Sequence, residues 1–293
     1  MAYERLETYA APAAATPELW RIGAVLALML FAVIGLQQLL FVLLALIGGN
    51  DAVTAVLESS GDTPGQSLAM LFSMGLYALG LTLALRAIHW RSLASLLGPP
   101  VDAVGDFIRV TYWLLPLYIG LILLMPAEYT LIRNEAMSLS RWVFLLPVAV
   151  AAVVVQAGTE ELFFRGYLTQ QIRAATGPKS WAWMAVPSAL FALLHYSATS
   201  GDNAIWSVLW AFCFAIAAAD LTARAGNLGP ALAFHISNNL VVLLGVSMPV
   251  PGSGLALYHL PFGPDAPMLA TLMPAEMLAL LVSWLAARAA IHR

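Results

Sequence analysis

Charge is what this chain has least of. Asp, Glu, Lys and Arg make up 10% of the 293 residues, whereas hydrophobic residues make up 61%. A soluble globular chain carries about 25% charged residues, so the shortage excludes an ordinary soluble domain. Basic runs are missing too, and with them the electrostatic footprint of a nucleic-acid binder; no nucleic-acid partner is expected. Cysteine is reduced to Cys213. A single thiol cannot form an internal disulfide or build a multi-thiolate zinc or iron–sulfur site, and in the setting FCFA it reads as a buried apolar residue. Residues 1–19 lack the basic start and short apolar core of a signal peptide. They are expected to form a polar cytoplasmic tail, leaving 20–293 as one membrane-embedded domain without internal repeats.

What the chain has in quantity is long apolar runs. A bilayer-spanning helix needs about 20 mostly apolar residues. Such runs cover 22–47, 66–88, 108–126, 142–159, 184–200, 205–222, 230–248 and 268–290. The expected fold is therefore all-α, a polytopic membrane helix bundle of about eight transmembrane helices, with the lipid bilayer as its first partner. Six tryptophans (Trp20, Trp90, Trp142, Trp181, Trp183 and Trp206) fall near span ends, where a bilayer enriches them as interfacial anchors. With the N-terminus inside, the cytoplasmic segments hold Arg5, Arg21, Arg86, Arg91, Arg109, Arg165, Arg173, Lys179, Arg224, Arg288 and Arg293. The outside segments hold only Arg133 and Arg141. That asymmetry puts both termini in the cytoplasm. Lys179 is the only lysine, and this alanine-rich, lysine-poor composition points to a bacterium with GC-rich DNA and so to an inner membrane. The outside stretches Gly48–Gln66 and Ser247–Pro267 read as Gly- and Pro-rich loops, whereas 162–175 is too polar to span and reads as an amphipathic interfacial continuation of the preceding helix.

Ionisable side chains inside apolar spans are costly and call for a functional hypothesis. Three places hold them. In Gln156-Ala-Gly-Thr-Glu160-Glu161-Leu-Phe-Phe-Arg165, two adjacent carboxylates follow an apolar run. On a helix they point about 100° apart and need different partners. Glu161 and Arg165, four residues apart, can pair, leaving Glu160 to face a cavity. The same cluster also reads as a solvated helix end. In Phe191-Ala-Leu-Leu-His195 the ring and the imidazole share a face, and a hydrogen-bonded core histidine is the competing reading. In His235-Ile-Ser-Asn238-Asn239, His235 and Asn239 share a face, and polar glue between helices is the alternative. By contrast, Asp220 and Arg224 near a helix end read as a surface pair.

Taken together, a carboxylate pair, two histidines and an amide on three helices are the parts that peptide-bond hydrolysis requires. A base must take a proton from water, and donors must hold the oxyanion. The ordered set Glu160-Glu161-x-x-x-Arg165, Phe191-x-x-x-His195 and His235-x-x-x-Asn239 resembles the CPBP family, the type II CAAX prenyl endopeptidases and their bacterial relatives, also called Abi proteins. The resemblance covers about residues 140–250. It implies an intramembrane endopeptidase acting near a substrate's C-terminus, on a peptide or a lipidated protein tail. It implies that Glu160 and His195 activate the attacking water, that His235 and Asn239 donate to the oxyanion, and that Glu161 and Arg165 hold the geometry. Glu160, His195 and His235 are then expected to line one cavity open to the cytoplasm.

Members of the family are often labelled metalloproteases, and one Glu with two His could bind zinc. The chain lacks H-E-x-x-H, and Asn239 suits an oxyanion better than zinc, so no cofactor is expected and zinc is the disfavoured alternative. Two rival functions use the same residues differently: a transporter, whose mid-membrane polar groups mark a substrate path, and a non-catalytic scaffold or bacteriocin-immunity protein. A serine dyad of Ser253 and His259 would lie in a polar loop, which lacks the rigid setting that chemistry needs.

Overall fold

A computed structural model describes residues 3–124 and 130–291. Positions 125–126, the end of the third expected span, and Arg293 lie outside the described residues. The helices are α1 (Glu4–Ala10), α2 (Trp20–Leu57), α3 (Pro64–Ser73), α4 (Gly75–His89), α5 (Pro100–Leu123), α6 (Leu139–Glu161), α7 (Thr169–Thr176), α8 (Ala182–Leu193), α9 (Ala204–Ala225), α10 (Gly229–Leu240) and α11 (Met268–Ile291). Among the described residues, six helical stretches are long and apolar enough to cross a membrane: Trp20–Leu57, Pro64–His89, Pro100–Leu123, Leu139–Thr176, Ala198–Ala225 and Met268–Ile291. The architecture is an all-α polytopic bundle.

The other two expected spans are short apolar helices, Ala182–Leu193 and Gly229–Gly245. At 1.5 Å per residue, α8 reaches only about 18 Å, against a hydrocarbon core of about 30 Å. These two short elements carry, or end just before, the two histidines of interest. Helix α10 is covered by protein, packing among α5, α6 and α9, whereas α8 packs on α9 and leaves Val186, Leu190 and Leu193 exposed on its other face.

Helix α5 starts at Pro100, well before position 108, because proline fits the first helical turn, where a missing N–H costs nothing. The earlier start takes Asp106 into the bundle. Asp106 is fully buried and accepts hydrogen bonds from Asn227 Nδ2 (2.8 Å) and Arg109 Nη1 (3.0 Å). Asn227 Oδ1 in turn accepts from the Gly229 N–H at 2.9 Å, which anchors the first turn of α10. Gly229 must be glycine there: a Cβ would stand 2.0 Å from the Ala103 carbonyl oxygen.

Residues 162–175 do continue α6, but they do not lie at the interface. Phe164 to Arg173 are buried without interruption, and the N-terminal residues cover them. The segment expected as a polar tail folds into α1 and a 3₁₀ turn, with Leu6, Tyr9 and Ala13 buried. Tyr9 Oη donates to the carbonyls of Leu96 (2.7 Å) and Arg165 (3.1 Å). Gln171 donates to the Thr16 carbonyl at 2.5 Å, and Arg173 pairs with Glu7. Asp220 is likewise no surface residue. It is buried and accepts from Tyr3 Oη (2.7 Å), Arg224 Nε (2.8 Å) and Trp284 Nε1 (3.0 Å). Burial, then the bond to Asp220, pushes the Tyr3 phenol up to about 12, so it remains a donor at neutral pH.

At the opposite end of the bundle, β1 (Ile132–Arg133), β2 (Val246–Ser247) and β3 (Tyr258–His259) form a small sheet in the order β1-β3-β2, the first pair antiparallel and the second parallel. The loop between β2 and β3 is pinned to the α2–α3 turn by bonds from Gly252 N to Ser60 O (3.2 Å) and Gly254 N to Gly61 O (3.3 Å). The ring of His259 meets the backbone carbonyl of Ser253 at 3.4 Å.

Candidate active site

The site is built where α6 gives way to a π-helical turn, Leu162–Leu168. A π turn adds a residue to each closed ring, which re-aims side chains and recurs at functional sites. Thr169 Oγ1 reinforces this register by donating to the carbonyl five residues back, Phe164 O, at 3.0 Å. Glu160 and Glu161 occupy the last two positions of α6. Because the helix runs on to Thr176, Glu160 is followed by some sixteen further helical residues, about 24 Å. That continuation packs its buried residues into the bundle beside α8, so the helix does not end at the two carboxylates.

Glu161 is fully buried and pairs with Arg165, also buried, at 2.9 Å, as the four-residue spacing suggests. Its Oε1 also accepts from His235 Nδ1 at 2.8 Å. A carboxylate oxygen in this arrangement only accepts, so Nδ1 carries the proton and Nε2 is turned toward Glu160. His235 Nε2 stands 3.7 Å from Glu160 Oε2. The two carboxylates thus have different bonded partners, Arg165 and His235 for Glu161 and Gln156 for Glu160, while standing on either side of the same imidazole. Phe191 and Phe214 wall that ring, with centroids 6.0 and 5.1 Å away.

Glu160 is the exposed member of the pair, with 18% of its side chain accessible against none for Glu161. Its Oε1 accepts from Gln156 Nε2 at 2.6 Å. Gln156 Oε1 accepts from Asn239 Nδ2 at 2.8 Å, and Asn238 Nδ2 donates to Asn239 Oδ1 at 3.3 Å. One amide therefore ties Glu160 on α6 to Asn239 on α10. Sequence reading gave Gln156 no role. The signal was present, since Gln156 precedes Glu160 by four residues and shares its face.

His195 differs from expectation. Helix α8 ends at Leu193, so His195 lies just beyond it and is exposed rather than buried in a span. Its Nδ1 lies 2.8 Å from the Phe191 carbonyl. A carbonyl only accepts, so Nδ1 donates and Nε2 is left as the acceptor of the neutral ring. Its ring lies tilted against Phe191 at 4.5 Å, and that phenylalanine also neighbours His235 at 6.0 Å and the Arg165 guanidinium at 4.4 Å. The structure thus joins Glu161, Arg165 and His235 by direct polar contacts, ties Glu160 to Asn239 through Gln156, sets the two groups 3.7 Å apart between Glu160 and His235, and brings His195 to them through the ring of Phe191.

The donor atoms that face each other in the site are two, His235 Nε2 and Glu160 Oε2, fewer than the three protein ligands of a catalytic zinc site. Among the described residues no three His, Cys, Asp or Glu side chains are arranged to hold one. Nδ1 of His235 is bound to Glu161, and Gln156 occupies an oxygen of Glu160.

Residues 142–241 match the sequence profile of the family described as type II CAAX prenyl endopeptidase Rce1-like. All six residues singled out from the sequence fall inside that stretch, and the resemblance to the CPBP family stands. The chain is also 26% identical over 251 residues, 83% of each chain, to a Bacillus subtilis (strain 168) protein named uncharacterized protein YyaK. No solved structure matches.

Proposed function

Starting from an integral membrane protein whose residues 142–241 match as an Rce1-like, type II CAAX prenyl endopeptidase domain, we propose that it is an intramembrane endopeptidase that hydrolyses a peptide bond near the C-terminus of a peptide or lipidated protein substrate. The observation that carries this reading is the gap between Glu160 Oε2 and His235 Nε2, 3.7 Å across, too long for a direct hydrogen bond. A water at about 2.8 Å from both atoms fits the vertex of that triangle.

In the proposed reaction Glu160 takes a proton from this water, and the oxygen attacks the scissile carbonyl carbon. His195 Nε2 accepts from the same water and orients it. The oxyanion of the tetrahedral intermediate accepts from protonated His235 Nε2–H and from the second N–H of Asn239. As the C–N bond breaks, Glu160 returns its proton to the leaving amine. Glu161 and Arg165 do not touch substrate; Glu161 accepts from His235 Nδ1–H and Arg165 holds Glu161, which fixes the orientation of the ring. Both termini face the cytoplasm of a bacterial inner membrane, and the cavity opens on that side.

The test is a comparison of protein termini by mass spectrometry in matched host membranes bearing wild type or Glu160→Gln at equal expression and equal melting temperature. C-terminal truncations present only with wild type support the protease. Identical termini would turn the reading toward a transporter or a non-catalytic scaffold.

A further inference from the structure

Away from the proteolytic site, α9 and α11 leave a groove of about 620 Å³ between them, floored by Met184 of α8 and capped at one end by Tyr3. Its walls divide by chemistry. Over most of its length they are apolar, formed by Phe212, Ile216 and Ala217 of α9 and by Met277, Leu280 and Leu281 of α11. At the end nearest the last turns of both helices they become polar, with Asp220, Arg224, Trp284 and Arg288. From Phe212 to Asp220 the apolar wall runs about 12 Å, and from Met277 to Arg288 about 16 Å. A channel apolar along a membrane-spanning helix and cationic near its end has the polarity of a lipid.

The arginines are held in a way that leaves them available. Asp220 accepts from Arg224 through Nε, at 2.8 Å, and faces Arg288 Nε at 3.8 Å. Both approaches to Asp220 are made through Nε and not through the Nη atoms. The side chains are further fixed by aromatic faces: Arg224 over Tyr3 at 5.2 Å and Arg288 over Trp284 at 4.7 Å. A guanidinium clamped at Nε and stacked on a ring presents its two Nη donors as a preorganised fork for a phosphate. Two arginines in last helical turns also complement the helix dipoles, which accounts for their placement but not for the groove. Asp220 cancels one of the two positive charges, so the charged residues lining the groove sum to +1, the complement of a lipid headgroup with one net negative charge.

We propose that this groove is a binding site for an anionic phospholipid. The phosphate sits on the Nη atoms of Arg224 and Arg288, the indole of Trp284 lies at headgroup depth, and one acyl chain runs between Ile216 and Leu281. Basic pockets between transmembrane helices select anionic headgroups in this way. The site joins α9, α11 and the N-terminal segment through Tyr3, so an occupied groove fastens the element that covers α7.

The experiment uses the full chain in vesicles of equimolar phosphatidylglycerol and phosphatidylcholine, released into detergent and weighed with its retained lipid by native mass spectrometry. Wild type is expected to retain one phosphatidylglycerol in preference to phosphatidylcholine. Arg224→Gln/Arg288→Gln is expected to retain it about thirtyfold less, the effect of two lost basic contacts. Because that variant also strips Asp220 of its two cationic partners, Ile216→Trp provides an independent arm: it fills the apolar channel, leaves the polar cluster intact, and is expected to lose the lipid without lowering the lipid-free melting temperature. Equal retention of the two lipids by wild type would overturn the proposal. So would undiminished phosphatidylglycerol on Ile216→Trp, or a lipid-free dimer closing the groove.

Discussion

His235 and Glu161 meet at 2.8 Å, Nδ1 to Oε1, across 74 positions of sequence. This contact decides which nitrogen of the imidazole is turned toward Glu160. It also divides two neighbouring carboxylates between two jobs, one buried against Nδ1 and Arg165, the other beside Nε2 and partly accessible. The predictions below follow from that division.

Arg165→Met leaves Glu161 a fully buried carboxylate without its guanidinium. Removing one partner of a buried pair costs about 3–5 kcal/mol, so the variant is expected to unfold at markedly lower denaturant or temperature. The double variant Glu161→Leu/Arg165→Met removes both charges and is expected to recover most of that loss. It should remain inactive, because His235 Nδ1 has then lost its acceptor. A double variant as unstable as the single one would contradict this account of the pair.

Gln156 is a positioning residue that links the proposed base to the proposed oxyanion donor. Gln156→Met keeps its length and removes both hydrogen bonds. Bonds to charged groups contribute about 1.5–3 kcal/mol, so kcat is expected to fall about ten- to a hundredfold with KM unchanged. A change in KM alone would mean that Gln156 acts on substrate binding instead.

Gly229→Ala tests how α10 is placed. The added methyl would stand 2.0 Å from the Ala103 carbonyl, which can be relieved only by moving α10 off α5. A loss of about 1–3 kcal/mol is expected, together with lower activity, since His235 and Asn239 ride on the same helix. Wild-type stability would show that the helices are not in such close contact.

Chelation separates the proposed mechanism from a zinc protease. Prolonged dialysis against a strong zinc chelator is expected to leave turnover unchanged and to release less than one zinc per chain. Activity lost on chelation and restored by zinc would require a different assignment of Glu160 and the histidines.

Much of this was legible in the sequence because the bilayer enforces simple rules. Apolar length located six of the crossings, and four-residue spacing paired Glu161 with Arg165. Where hydropathy alone was used, it overstated α8 and the α10 stretch; an apolar segment shielded by protein, as α10 is, looks the same as one facing lipid. The N-terminal fold was hidden by composition: residues 3–16 carry Glu4, Arg5 and Glu7 and are otherwise rich in alanine, and little beyond Leu6 and Tyr9 hints at a buried face. Asp220 was misread for a related reason. Its partners, Tyr3 and Trp284, lie 217 and 64 positions away, so the local Asp220–Arg224 spacing showed only one side of a buried cluster. The shared imidazole between Glu160 and Glu161 was likewise beyond local spacing, since it depends on how α10 packs against α6.

The most direct test of the central claim is to run the matched-membrane comparison in H₂¹⁸O. If Glu160 delivers water to a peptide bond, new C-termini will appear with wild type, each carrying one ¹⁸O in its carboxylate, and will be absent with an equally stable Glu160→Gln. The same labelled termini from both proteins, or none from either, would contradict it.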